Sequence, residues 1–141
     1  LNIYNSYTIN YFNDLYLTIS PELMISDIEK LNLKYLSNTI FFLYGKIKLM
    51  SMKHCLITGL QNCIQCGKCD HQISLKDAFD NLYPVKSDKK LNYIYNYRNK
   101  NYIDEIDVLK KWGVKNFRID LLDETYDESI KILEQLKNKL D

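Results

Sequence analysis

The order of apolar segments predicts an α/β chain built on a parallel sheet, with a long cysteine-rich excursion before the last strand. Three observations carry this. Strand-like and helix-like stretches alternate over residues 1–45, as they do where neighbouring strands run parallel. Helical periodicity then disappears over 46–100, where all four cysteines lie. A helix, strand, helix pattern returns over 101–141. At 141 residues the chain can bury roughly two-thirds of its unfolded surface, so one core and a single, partial domain are expected.

Taken in order, the segments 1–5, 15–20 and 39–44 read as strands, and 8–14 and 26–36 as the helices between them. The run Ile40-Phe41-Phe42-Leu43-Tyr44 is nearly continuously apolar, as a strand covered on both faces should be, and Gly45 ends it. Ser20-Pro21-Glu22 stops the strand before it. Ser26 with Glu29 three residues on forms a capping-box pattern for the second helix, which buries Ile25, Ile28, Leu31 and Leu36. Within 46–100 the pieces 73–76, 82–86 and 91–97 are β-like, and Asp80-Asn81 suggests a hairpin turn. Ile103, Ile106, Leu109 and Trp112 then make an apolar helical stripe closed by Gly113; 114–121 is a strand, and a last helix over 127–140 buries Ile130, Leu133, Leu136 and Leu140.

Nineteen basic residues balance eighteen acidic ones, so net charge points to no partner, but the distribution is uneven. Residues 51–102 carry eight basic and four acidic groups, and 103–141 seven and ten: a mildly positive middle beside a mildly negative tail. No run approaches the roughly eighteen apolar residues of a membrane span, and no signal peptide is recognisable. A cytoplasmic protein without a membrane partner is expected. The heavy use of Asn, Lys, Ile and Tyr suits an A/T-rich genome, which tempers any reading of the twelve tyrosines. The chain starts at Leu1 in a strand-like stretch, which predicts a piece of a longer protein.

The chemistry concentrates in Cys55, Cys63, Cys66 and Cys69, spaced Cys-x7-Cys-x2-Cys-x2-Cys. A closed zinc site or a four-iron cluster needs about four convergent thiolates, and two-residue gaps let neighbouring thiolates chelate from one tight turn. Gly59 and Gly67 supply permissive backbone, and Lys53 and Lys68 offset tetrathiolate charge. Disulfides are the alternative; two-residue gaps close badly as disulfides, and nothing argues for an oxidising compartment. His54 and His71 flank the group and could each replace a thiolate, although a histidine beside a metal loop is more often a surface or supporting group. Zinc would be structural, with binding worth about 10–16 kcal/mol in such peptides; spacing does not separate it from [4Fe-4S].

Specific strings are also recognisable: Ser20-Pro21-Glu22-Leu23, Leu43-Tyr44-Gly45-Lys46-Ile47-Lys48-Leu49-Met50-Ser51-Met52-Lys53-His54-Cys55, Ile73-Ser74-Leu75-Lys76-Asp77, Tyr83-Pro84-Val85, Ile94-Tyr95-Asn96 and Phe117-Arg118-Ile119-Asp120. In this order they resemble the collagenase-like peptidase family, numbered thirty-two among peptidases of unknown mechanism. The resemblance implies the C-terminal half of a modified eight-stranded TIM-type (β/α) barrel, with 1–5, 15–20, 40–44 and 114–121 as its last four strands and 46–100 as a metal-binding insertion before the final one. It also implies a missing N-terminal half, or a homodimer partner, to cover the open sheet edge, and a fragment inactive alone. Many relatives carry a cysteine just before the Ile-Tyr-Asn motif, where this chain has Leu91, so the local set of four cysteines is the expected ligand set.

For peptidase chemistry the chain holds no His-Glu-x-x-His motif and no nucleophile elbow. By the barrel rule that sites gather at C-terminal strand ends, the candidates are Asn5, Ser6, Ser20 and, foremost, Glu22, Tyr44, Arg118 and Asp120. Arg118 and Asp120 alternate onto one strand face, where the arginine takes a carboxylate from the protein, Glu22 or Asp120, or from a ligand. Tyr93, Tyr95, Tyr97 and Tyr102 interleave with Lys86, Lys89, Lys90, Arg98 and Lys100, a mixture able to stack and screen single-stranded RNA, or simply a solvated strand face. Some relatives are linked to hydroxylation of RNA or of ubiquinone precursors with iron–sulfur clusters. Three expectations follow: a peptidase acting on peptide, an iron–sulfur RNA or quinone-precursor hydroxylase, and a zinc-stabilised binding module without catalysis.

Overall fold

In the computed structural model, residues 3–31, 33–56, 73–88 and 91–140 are described. The chain divides into two compact units: Leu1–Gly45 with Lys100–Asp141, and Lys46–Asn99. The elements are α1 (Ser6–Tyr11), β1 (Leu17–Thr18), α2 (Ile25–Glu29), a 3-10 turn (Leu33–Asn38), β2 (Thr39–Met52), β3 (Ile73–Lys76), β4 (Leu82–Ser87), β5 (Asn92–Asn101), a second 3-10 turn (Ile103–Glu105), α3 (Ile106–Lys111), β6 (Asn116–Asp120) and α4 (Tyr126–Leu140).

In the first unit β1 and β6 flank β2, both parallel to it, with Leu17 opposite Thr39 and Phe41 opposite Phe117. Ile3 adds a parallel bridge to Ile19 on the far side of β1. The parallel strands therefore lie side by side in chain order, with α1 and α2 in the first two connections and the second unit followed by α3 in the third. Ile3, Ile19 and Leu43 from the strands meet Ile9 of α1, Ile28 of α2, Ile106 and Leu109 of α3 and Ile132 of α4 in one apolar cluster. Burying each of these aliphatic side chains is worth about 1.5–3 kcal/mol, and this cluster holds the helices on the strands.

The second unit is antiparallel. β3 and β4 form a hairpin, β4 pairs with β5, and β5 neighbours β2. Its one deeply buried aliphatic side chain among the described residues is Val85.

The α/β class holds, with parallel and antiparallel pairs combined. No closed barrel is seen: among the described residues the sheet is open, with β3 and β6 each bonded to one strand neighbour, and so few parallel strands cannot curl back upon themselves.

Local corrections have local causes. Gly45 does not end β2, since it adopts a φ of 129° beside a register shift between Phe42 and Tyr44, and the strand runs on to Met52. Ser26 does not cap α2; Met24 stands at the N-cap and its N–H donates to the Asp27 carboxylate at 3.0 Å. In α4 the buried stripe is Ile132 with Leu136 packed beside it, whereas Ile130, Leu133 and Leu140 are exposed. No helix among the described residues is long and apolar enough to cross a membrane.

Candidate functional site

Tyr4 follows the first parallel bridge, and its hydroxyl donates to Glu22 Oε2 at 2.5 Å. Glu22 sits in the turn after β1, which is held from two sides. The Leu23 N–H donates to the carbonyl of Ser20, a buried residue, at 3.2 Å. From beneath, the Lys100 ammonium donates to the carbonyls of Pro21 and Leu23, at 2.5 Å each. Lys100 lies over the Tyr102 ring, 4.8 Å from its centroid, and burial holds its pKa below the usual lysine value against the pull of Asp27. Glu22 is thus carried on a turn whose flanking carbonyls are tied down. An open depression of about 350 Å³ adjoins Tyr4, lined also by Asn5, Leu23 and Asp27. Asn5 itself is a helix cap, its Oδ1 accepting from the Thr8 N–H at 2.9 Å.

Arg118 and Asp120 form a bidentate pair, Nε to Oδ1 at 2.7 Å and Nη2 to Oδ2 at 2.6 Å, and this pairing raises the guanidinium pKa over the opposing effect of burial. Phe117 and Ile119 pack on the apolar cluster, so by strand alternation Arg118 and Asp120 lie on the opposite face. Phe42, in register with Arg118, is buried but outside that cluster. Arg118 therefore has its carboxylate already, from two residues along its own strand and not from Glu22.

Tyr44 faces the other way. The register shift turns it into the apolar cluster, and its hydroxyl donates to Glu124 Oε1 at 3.2 Å. Burial pushes the Glu124 carboxyl up, but the N–H groups of Leu122, Glu124 and Asp123 and the Tyr44 hydroxyl outweigh it and leave its pKa lowered. Tyr44 and Glu124 tie the turn before α4. The four foremost candidates thus fall into three places: Glu22 with Tyr4, Arg118 with Asp120, and Tyr44 with Glu124.

Cys63, Cys66, Cys69 and His71 lie outside the described residues. Cys55, half-buried, follows β2, and exposed His54 before it offers its carbonyl to Asn92 Nδ2 at 2.9 Å. Among the described residues no three metal-ligating side chains come together. The Leu91 N–H donates to Asp88 Oδ1 at 2.8 Å.

The basic and aromatic residues of the second unit partly interleave. Lys48 lies over the Tyr93 ring at 4.8 Å and Lys86 is the cross-strand partner of Tyr93, while Arg98 lies over Tyr97 at 5.0 Å. The Tyr93 hydroxyl donates to Asp88 Oδ2 at 2.7 Å, and that bond raises its pKa.

Tyr4, Glu124 and Asn92 escaped sequence reasoning, and Lys100 was read there only as part of a basic and aromatic mixture, not as the residue that holds the turn after β1. Their partners are distant in sequence, and none carries a local pattern. Asp77 had a visible signal, an Asp four residues before an Asn at a turn: its carboxylate accepts from the Phe79 and Asn81 N–H groups, the Asn81 amide and the Tyr83 hydroxyl. Comparison with known proteins adds no assignment: no protein family, no curated protein and no solved structure matches this chain.

Proposed function

We propose that the chain is the C-terminal half of a collagenase-like peptidase barrel, with a peptide-binding and acid–base site along the C-terminal ends of its parallel strands. The observation that carries this is the Tyr4–Glu22 pair at 2.5 Å, mounted on a tied turn at the end of parallel strands that run in chain order. In the proposed site Glu22 takes a proton from the water attacking a peptide carbonyl, and the Tyr4 hydroxyl holds that carboxylate in place. Arg118 exchanges Asp120 for a peptide carboxylate. Cleavage needs the other half of the barrel, supplied by a longer chain or a second copy. The test is cleavage of a labelled gelatin-type peptide by the protein carrying both halves. Glu22→Gln is expected to lower kcat by about 100-fold or more; full activity in that variant removes Glu22 from the reaction.

The proposal includes a metal held by Cys55, Cys63, Cys66 and Cys69. Four thiolates are a donor set that suits zinc or a [4Fe-4S] cluster. Bound there, zinc would supply cross-linking and a cluster electron transfer. Elemental analysis with an absorption spectrum of anaerobically prepared protein separates the two; absence of both metals with four titratable thiols removes the site.

A second reading, an iron–sulfur RNA-modifying hydroxylase, is favoured by Lys48 and Lys86 about Tyr93. It predicts a brown protein whose binding to single-stranded RNA weakens steeply with salt. Colourless protein with stoichiometric zinc and no RNA binding favours a zinc-stabilised module instead.

A further inference from the structure

The last helix carries more apolar surface than the core takes up. α4 packs Ile132 and Leu136 onto the apolar cluster, while Tyr126, Ile130, Leu133 and Leu140 are between 37% and 79% exposed. On a helix that advances about 100° per residue, those four and Lys137 fall within roughly 80° of arc, about a quarter turn from Ile132 and Leu136. They form a second stripe, separate from the one that faces the core.

This helix is also held at both ends. At its start the Thr125 N–H donates to Glu128 Oε2 at 2.7 Å and the Glu128 N–H donates to Thr125 Oγ1 at 3.3 Å, a capping box. At its end the Lys110 ammonium of α3 donates to the carbonyls of Lys139 and Leu140 at 3.1 Å each. The stripe therefore sits on a helix with little left to order on binding, which favours association.

Charge decides what fits it. The first turn holds Asp127 and Glu128, the last turn Lys137 and Lys139. Glu128 is taken up by the cap, so Asp127 is the acid on offer. A second copy laid antiparallel, with Ile130 and Leu133 of both chains at the centre, brings Tyr126 and Asp127 of each copy to Lys137 of the other. The one charged residue within the stripe then meets an opposite charge. Laid parallel, the same helices would oppose Lys137 to Lys137 and Asp127 to Asp127, which like-charge repulsion disfavours. Contact through the same patch on both copies is also the arrangement that closes as a dimer.

We infer that α4 is a self-association surface on which two copies of the chain pair antiparallel, through Tyr126, Ile130, Leu133 and Leu140 and reciprocal Asp127–Lys137 ion pairs. The helix has 15 residues and is about 22 Å long, so the contact is at the small end of specific interfaces and the dimer is weak and concentration-dependent. It uses none of the candidate site residues and does not rest on the peptidase reading.

The test is sedimentation of the 141-residue chain over a concentration series, under reducing conditions so that disulfides contribute nothing. Wild type is expected to pass from monomer to dimer as concentration rises. Leu133→Glu, at an exposed position, should raise the dissociation constant about tenfold or more with circular dichroism unchanged. Asp127→Lys and Lys137→Asp should each raise it about threefold or more, and the double variant should restore it, a recovery that loss of folding or of apolar surface would not give. Should Leu133→Glu fail to fold, the charge variants carry the comparison. A wild-type chain that stays monomeric at every concentration overturns the proposal, whatever other chain or segment covers the stripe. A dimer that tolerates Leu133→Glu, or that charge reversal weakens without recovery in the double variant, places the contact elsewhere and overturns it as well.

Discussion

Gly45 lies against Asp120 so closely that a Cβ at position 45 would overlap the Asp120 carbonyl oxygen, and its φ of 129° is one that L side chains rarely adopt. The two residues are register partners on β2 and β6, and Asp120 is also the partner of Arg118. Gly45→Ala must move β6 or strain the backbone. It is expected to destabilise the protein by about 2–3 kcal/mol in urea denaturation, and an unchanged midpoint would show that the strands do not approach in this way.

Lys100 and Tyr102 give alkaline stability two opposing slopes. Burial lowers the Lys100 pKa in the fold, so between that value and the ordinary lysine value the unfolded chain binds more protons and stability rises with pH. Burial raises the Tyr102 pKa, so above the ordinary tyrosine value the folded chain keeps its proton longer and stability falls. Lys100→Met should remove the rise, keep the fall, and loosen the turn that carries Glu22. Denaturation midpoints across the alkaline range decide this; parallel curves for variant and wild type would dismiss the role of Lys100.

The Tyr44 hydroxyl and the turn amides keep Glu124 ionised below its ordinary pKa in the fold. A depressed carboxyl contributes stability that is present above the unfolded value and lost as pH falls through the folded one. Tyr44→Phe should cost about 0.5–1.5 kcal/mol at neutral pH and less in acid, since it removes one of the bonds that favour the carboxylate. Equal loss at both pH values would separate Tyr44 from Glu124.

Asp77 organises the β3–β4 hairpin. The Asn81 side-chain bond is the largest influence on its carboxyl, and with the Phe79 and Asn81 N–H groups and the Tyr83 hydroxyl it lowers the pKa despite burial. Asp80 beside it adopts a φ of 66° and pairs with Lys76 at 2.6 Å. Asp77→Ala should speed amide exchange at Phe79 and Asn81 and leave the first unit's amides unchanged; protection retained at both positions contradicts it.

Where a single periodic stretch decided burial, the sequence was readable. Ile103, Ile106 and Leu109 are buried as their spacing requires, and Phe41 to Tyr44 are covered as a continuous apolar run predicts. In α4, apolar residues at 130, 132, 133, 136 and 140 allow two stripes, and packing against the cluster chose Ile132. At Gly45 a residue type that usually terminates strands serves a register shift instead. The candidate site was legible as residue types at strand ends but not as pairs: Lys100 meets Pro21 and Leu23 across 79 and 77 positions of sequence, and only the closed fold brings such groups together. Arg118 with Asp120, two residues apart on one strand, was one of the pairings that local alternation allowed.

The position of β6 in the chain has a kinetic consequence. β6 completes the parallel trio only when Asn116 returns to β2, where its amide donates to the Thr39 carbonyl across 77 positions, and Lys46–Asn99 lies between. While that intervening stretch is unfolded, bringing the strands together costs loop-closure entropy that grows with its length, and contacts this distant in sequence slow folding. Folding the stretch first, or clipping it with a metal, replaces a long floppy tether by a short effective one. If the proposed cysteine site binds a metal, refolding of the first unit should therefore accelerate when that metal is present from the start, and its stability should rise as well, since the closure entropy is spared in the native state too.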